Sequence, residues 1–277
     1  MNLDKLKIRE IVTRGYIHPS KLPGYDYVIN PYVGCPHRCI YCYAEFMKRF
    51  SGHDDPWGTF TDVKIRSTAV KPVALQGTSV FLSSVTDCYN SLEEKYRLTR
   101  KLLEQLRYSG AKVTILTKSA LVTRDIDILQ QMPDVTVGLS MNTELDSFRQ
   151  EIEPGAASVL ERLDTLKTLH ESGIKTWLHI APVFPVLTDW KALLEVARPY
   201  VDSFSFENLK LRAAALPRVM LYITQRHPEL KTLYHHIYNE NDMSYWRTLR
   251  KEILAFCNQH KLSAAVYFKE KTDDEQN

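Results

Sequence analysis

Three of the chain's five cysteines, Cys35, Cys39 and Cys42, stand within the stretch CPHRCIYCY (35–43). Thiols this close in sequence have three common uses. A disulfide framework is a poor fit, because an odd trio leaves one thiol unpaired. Structural zinc suits thiolates, with His37 close by, but such sites usually draw further ligands from a second, distant pair. The other cysteines, Cys88 and Cys257, are isolated. An iron–sulfur cluster also takes thiolate ligands. Three of them would hold three irons of a [4Fe–4S] cube and leave the fourth open.

A scaffold must position this loop, and length and composition bound what it is. With 277 residues, 44% hydrophobic and 25% charged, the chain can bury a large core as one domain, or one domain with an appendage. The 36 basic and 33 acidic residues give a net charge of +3, too small to demand a nucleic-acid partner and no bar to one. No apolar run approaches the length of a membrane span, and the opening MNLDKLKIRE lacks the apolar core of a signal peptide. A cytoplasmic protein with reduced cysteines is expected.

The spacing C-x-x-x-C-x-x-C followed by an aromatic residue is similar to that of the radical S-adenosylmethionine (SAM) superfamily. The resemblance implies that the open iron chelates the amino and carboxylate groups of SAM. It implies in turn that one-electron reduction of the sulfonium yields a 5′-deoxyadenosyl radical able to take hydrogen from unactivated carbon. A small one-electron reductant such as flavodoxin or ferredoxin is the partner this implies.

Hydrophobic period gives the rest of the scaffold. TSVFLSS (78–84), KVTILT (112–117), VTVGLS (135–140), KTWLHIAPV (175–183) and VDSFSF (201–206) are short β-branched or aromatic runs bounded by polar residues, and a first strand is expected in YDYVINPYV (25–33). Helical stretches separate them. In ASVLERLDTLKTLHESG, Val159, Leu160, Leu163, Leu166 and Leu169 are expected inward, with Gly173 as the stop. In SLEEKYRLTRKLLEQLRYSG the inward set is Leu92, Tyr96, Leu102, Leu103 and Leu106, ending at Gly110, and Thr123 is the expected cap of RDIDILQQM. Strand–helix alternation implies parallel βα units, and six of them make an α/β partial (β/α)6 TIM-type barrel with sites at the C-terminal ends of the strands. The expected organisation is an N-terminal segment 1–24, a core barrel 25–206, a helical C-terminal extension 207–269 and a disordered tail 270–277.

Over about residues 27–205 the chain resembles the spore photoproduct lyase-like (DNA repair photolyase-like) branch of the superfamily. The matching pieces are NPYVGCPHRCIYCY, SSVTDCYNSLEEKYRLT, ILTKS, VGLSMNT, EIEPGAASVLERLDTL and HIAPVFP. With them come expectations for single residues. Lys118, at a strand end, would pair with the SAM carboxylate, or be a solvated loop lysine. Ser140 and Asn142 would reach the SAM carboxylate or ribose, or merely form a strand-end turn. Ala181 and Pro182 would offer apolar surface to the adenine, or simply pack. Glu153, read as opening a helix with Pro154, would cap or pair structurally, or take a chemical role. Tyr41 and Tyr43 flank the last cluster cysteine; they would shield the cluster, and the resemblance adds a radical-relay role. His37 and Arg38 are expected to be solvated or to lie behind the ligands. Cys88, in TDCYN, is a candidate hydrogen-atom donor, although the corresponding cysteine of that branch falls nearer Ser84; an inert loop thiol is the alternative.

SGHDDPWGTFTDVKI (51–65) reads as a polar connection whose His53, Asp54 and Asp55 either touch substrate or face solvent. After residue 206 two or three helices are expected, broken at Pro217 or Pro228 and around NENDM, before a last strand SAAVYF. Their basic and aromatic residues, Arg212, Arg218, Arg226, His227, Lys231, His235, His236, Tyr245, Trp246 and Arg247, suit either closure of the barrel or a nucleic-acid strand. The reaction follows as DNA-lesion lyase chemistry, or as radical modification of a peptide, an RNA or a small molecule. A non-catalytic zinc or structural-cluster protein is the third reading.

Overall fold

Alternating apolar runs that cannot bury both faces alone must stack side by side, and the computed structural model of the chain, which describes residues 6–65, 72–211 and 214–268, shows how. The strands are β1 (Lys7–Val12), β2 (Ile17–Pro19), β3 (Tyr27–Ile29), β4 (Tyr32–Val33), β5 (Phe60–Ile65), β6 (Ser79–Leu82), β7 (Lys112–Thr117), β8 (Val135–Met141), β9 (Lys175–Val183), β10 (Ser203–Asn208) and β11 (Ala264–Val266). The helices are α1 (Glu93–Tyr96), α2 (Leu98–Leu106), α3 (Ile126–Leu129), α4 (Asp146–Ile152), α5 (Val159–Glu171), α6 (Trp190–Ala197), α7 (Ala215–Arg226), α8 (Lys231–Tyr238) and α9 (Ser244–Gln259).

The main sheet runs β11-β10-β9-β8-β7-β6-β3-β2, parallel from β3 to β11, with β2 antiparallel at the edge. The six expected strands all lie in it in sequence order. Among the described residues its two edges are not paired with each other, so the barrel is open there. The last strand, β11, adds a seventh parallel member beside β10. Alternate residues such as Val113, Ile115, Val137, Leu139, Leu178 and Ile180 are buried in one continuous core under the helices. The other face is left for the site.

Several local expectations are corrected. The 51–65 stretch ends in a strand, because Val63 buries against Tyr32 and Leu92 on one face while Phe60 buries against Ala44 and Trp57 on the other; β5 pairs with β1 in parallel and with β4 in antiparallel, forming a separate three-stranded sheet. The helix expected over 91–110 is two, broken at Arg97 in the left-handed region (φ 51°). Buried Glu93 explains the break: its carboxylate accepts the Thr99 and Arg100 amides, capping the first turn of α2 with an anion. In α5, Val159, Leu166 and Leu169 are buried and Leu163 packs in part, but Leu160 is 68% exposed. Thr123 caps nothing; it lies inside a 3-10 turn whose cap is Ser119. Pro217 sits in the first turn of α7 and Pro228 opens the turn before α8. Arg212, residues 1–5 and the tail 270–277 lie outside the described residues.

Candidate active site

Strand β4 delivers the chain to the cysteine loop through Gly34, whose φ of 90° and close approach to β5 exclude a side chain; a Cβ there would lie 2.4 Å from the Phe60 carbonyl oxygen. The loop then carries Cys35, Cys39 and Cys42, all free thiols with partial exposure. Burial pushes all three thiols up, Cys35 to about 12, helped by Asp87 and, for Cys39, by Glu153. The thiols also sense one another's charge. A metal centre held here would therefore displace protons from the loop. Among the described residues no three His, Cys, Asp or Glu side chains converge as a site for a single metal ion.

The segment after α4 straps this loop in place. The Ile40 amide donates to the Ile152 carbonyl, the Gly155 amide to the His37 carbonyl (both 3.0 Å), and the Ala157 amide to the Lys118 carbonyl. Gly155 is required for the contact, since a Cβ would come 2.2 Å from the Pro36 carbonyl oxygen. Between these bonds sits Glu153, fully buried. It closes α4 rather than opening a helix, and α5 starts with its own capping box at Ser158 and Glu161.

Glu153 gathers three of the expected site residues, Tyr41, Asn142 and Lys118. Its Oε1 accepts from the Tyr41 hydroxyl and from Asn142 Nδ2 (3.0 Å), and Lys118 Nζ lies 3.8 Å away. Its Oε2 accepts from buried Arg162 (2.7 Å), which also donates to the Ser140 carbonyl. Burial alone pushes the Glu153 carboxyl up, but Arg162, Lys118 and the hydrogen bonds outweigh it and hold the group below its usual range. Lys118 Nζ donates to Ser140 Oγ (3.0 Å), which itself donates to the Ala181 carbonyl. Desolvation works against the Lys118 ammonium, yet Glu153 and Cys39 raise its affinity for a proton overall.

A second carboxylate, Asp87, ties the loop to the strand ends. It accepts Thr117 Oγ1 (2.7 Å), the Tyr89 amide and the Lys118 amide (2.8 Å), with His37 Nδ1 at 3.5 Å. His37 is therefore buried behind the loop, not solvated; Arg38 is exposed. Tyr41 is buried with its ring edge-on to Phe184, whereas Tyr43 is 47% exposed and donates to the Ser84 carbonyl. Ala181 is buried and Pro182 partly so, at the end of β9.

Cys88 has no exposed surface and lies in the main core; its amide donates to Ser83 Oγ and its carbonyl accepts from Thr99. His53 and Asp55 belong to the small sheet: His53 stacks on Phe60 and meets Asp62 (2.8 Å), and Asp55 pairs with Lys7. Arg218 pairs with Glu45, Arg226 with Glu151, and Trp246 is buried. The two ion pairs tie α7 to the turn after the cysteine loop and to α4.

The profile of the radical SAM superfamily matches residues 29–197. The chain belongs to the radical SAM superfamily. It is a radical SAM enzyme, and the superfamily's cofactors are a [4Fe–4S] cluster and SAM. The chain is 36% identical over 226 residues to an uncharacterized protein of Methanocaldococcus jannaschii, covering 81% of this chain and 85% of that one. It is 27% identical over 159 residues to a protein of Pseudomonas phage M6 named radical SAM Nalpha-GlyT isomerase, covering 56% of this chain and 33% of that one. In fold it is similar to spore photoproduct lyase complexed with dinucleoside spore photoproduct (TM-score 0.65, 17% identity, 95% of this chain and 82% of that one). It is also similar to Streptococcus suis SuiB bound to SAM (TM-score 0.54, 15% identity, 87% and 46%). No helix among the described residues is long and apolar enough to cross a membrane.

The residues of this radical SAM chain fit both cofactors. Three thiols share one loop at the C-terminal ends of the strands, with an ammonium beside them. Asn142 Oδ1 is buried with no hydrogen-bond partner in the structure, an orphaned acceptor on the side chain that shares Glu153 with Lys118, and it calls for a donor. Asp87, Gly155 and Arg162 were not anticipated. The last had a signal, since a charge stands among the inward positions of α5.

Proposed function

We propose that Cys35, Cys39 and Cys42 hold a [4Fe–4S] cluster, that Lys118, Ser140 and Asn142 bind SAM beside it, and that the enzyme acts on a nucleobase-bearing substrate by lyase-like radical chemistry. The carrying observation is the Glu153 hub, which puts Lys118, Asn142 and Tyr41 around one buried carboxylate against the cysteine loop. When bound, the cofactors supply reductive cleavage of SAM and a carbon radical for hydrogen abstraction.

The protein's own groups bind, orient and exclude water. Lys118 Nζ is the cation available to a carboxylate. Asn142 Oδ1 accepts from an ammonium or hydroxyl. Tyr41, Phe184 and Ala181 keep the site dry, which strengthens each polar contact. Tyr43, beside the last cysteine and more exposed, would share a relay role with Tyr41. The substrate class is supported by two similar proteins, one solved in complex with a dinucleoside spore photoproduct and one named a radical SAM Nalpha-GlyT isomerase. A flavodoxin or ferredoxin as reductant, and a cytoplasmic setting where thiols stay reduced, go with this reading.

Anaerobic reconstitution should give about four irons per chain, and dithionite with SAM should release 5′-deoxyadenosine. Stoichiometric zinc without SAM cleavage overturns the cluster assignment. A salt-sensitive mobility shift with thymine-dimer DNA supports the substrate class; its absence with every nucleic acid tried removes it.

A further inference from the structure

The open barrel has a second polar group, on β9 and β10, that the cofactor residues do not use. Strand register fixes where it points. Ser140 on β8 pairs with His179 on β9, and His179 with Ser205 on β10. Register partners in a parallel sheet project to the same face, so His179 and Ser205 share the inner face with Ser140, which touches Lys118. One step lower, Gly138 pairs with Trp177. A Cβ on Gly138 would lie 2.5 Å from ring carbons of Trp177, so the indole lies across this glycine. Trp177 Nε1 donates to Ser205 Oγ (3.1 Å), which pins the ring in its plane. The ring remains partly exposed.

Above that platform stands a polar edge. His179 Nδ1 meets Ser205 Oγ at 2.8 Å, and its Nε2 lies 3.7 Å from Glu207. Glu207 pairs in turn with Lys210. The β9–β10 register shifts between Phe206 and Asn208, and such an irregularity re-aims the side chain between them. Burial raises the Glu207 carboxyl, but His179 and Lys210 overcome this and hold it at about 2, so it presents a carboxylate at neutral pH. An acceptor and an ammonium donor thus stand side by side, each about a third exposed.

We infer that this group is the substrate-recognition site: Trp177 stacks under a planar heterocycle, while Glu207 and Lys210 read a lactam edge, an N–H beside a C=O. Aromatic platforms take any base by its face, and only the edge pair discriminates. Thymine and guanine both carry such an edge. The inference rests on the radical SAM reading above and names the substrate chemistry of that same barrel.

The test is calorimetric titration of the anaerobically reconstituted enzyme, with SAM, by d(TpT), d(GpG) and N3-methylthymidine dinucleotide. One or both lactam dinucleotides should bind, telling the two sources apart, and methylation of the edge should weaken binding at least about tenfold. Trp177→Leu and Glu207→Gln should each lose about tenfold or more, and Trp177→Phe should restore most of the stacking. Lys210→Met, at a partly exposed tip, should weaken binding without altering the melting temperature, which guards against unfolded variants. Binding that survives Trp177→Leu and Glu207→Gln overturns the inference. So does an enzyme that cleaves SAM but binds neither dinucleotide, whereas failure to cleave SAM strikes the cluster reading instead.

Discussion

Replacing Glu153 by Gln tests whether the buried hub holds the site together. The substitution keeps the shape and removes the charge, leaving the Arg162 guanidinium, itself 1% exposed, and the partly buried Lys118 ammonium without their counter-ion. Breaking a buried pair by removing one partner costs about 3–5 kcal/mol. Lys118 also bonds Ser140 and Arg162 also bonds two carbonyls, so the lower end, about 3 kcal/mol, is expected. For a chain of this size that lowers the melting temperature by roughly 6–12 °C. The Glu153→Leu/Arg162→Met pair removes both charges and should recover part of the loss. Because Glu153 is held below its usual range in the folded state, its stabilisation is complete above the unfolded carboxylate pKa and fades as pH falls through the folded one. The gap between wild type and Glu153→Gln, read by calorimetry, should therefore be full at neutral pH and close in acid. A shift below about 2 °C at pH 7 would refute a hub that stores this much energy.

Lys118→Ala should keep the cluster and weaken SAM binding ten- to a hundredfold, about 1.5–3 kcal/mol, by equilibrium titration; unchanged affinity assigns Lys118 to structure alone. Gly155→Ala drives a methyl into the Pro36 carbonyl, so iron per chain after reconstitution should fall, and full loading would show that the strap yields. Cys88→Ala should leave solvent-deuterium incorporation into product unchanged, because its thiol is sealed in the core; a drop in incorporation would make it the hydrogen donor after all.

The cysteine trio and the parallel strands were legible because both are local patterns: a spacing of thiols, and β-branched runs with helical spacers. The placing of Lys118, Ser140 and Asn142 at strand ends was legible from the same runs. What escaped were pairings across long separations. Glu153 reads in sequence like a helix start, and only the strap against the cysteine loop shows it as the C-terminal cap of α4. Asp87 gives no periodic signal, since its role is to join residues 37, 89, 117 and 118. Phe60–Ile65 looked like loop because its partners are distant in sequence, one a mostly exposed strand (β1) and the other only two residues long (β4). Leu160 was misplaced by counting it into a face from which it is turned by a full helical step.

The strap has a consequence for synthesis. Cys42 emerges early, whereas the groups that enclose its loop arrive with Asn142, Glu153, Gly155 and Arg162. Roughly 120 residues separate Cys42 from Arg162, which at about 5–20 residues per second is some 6–24 s of translation. During that interval the three thiols have neither the hub nor the strap around them, and they are open to oxidation and to opportunistic metals. The ribosome's pace between these two points sets how long the nascent loop waits, so codons that slow this stretch should raise the share of wrongly metallated or oxidised enzyme.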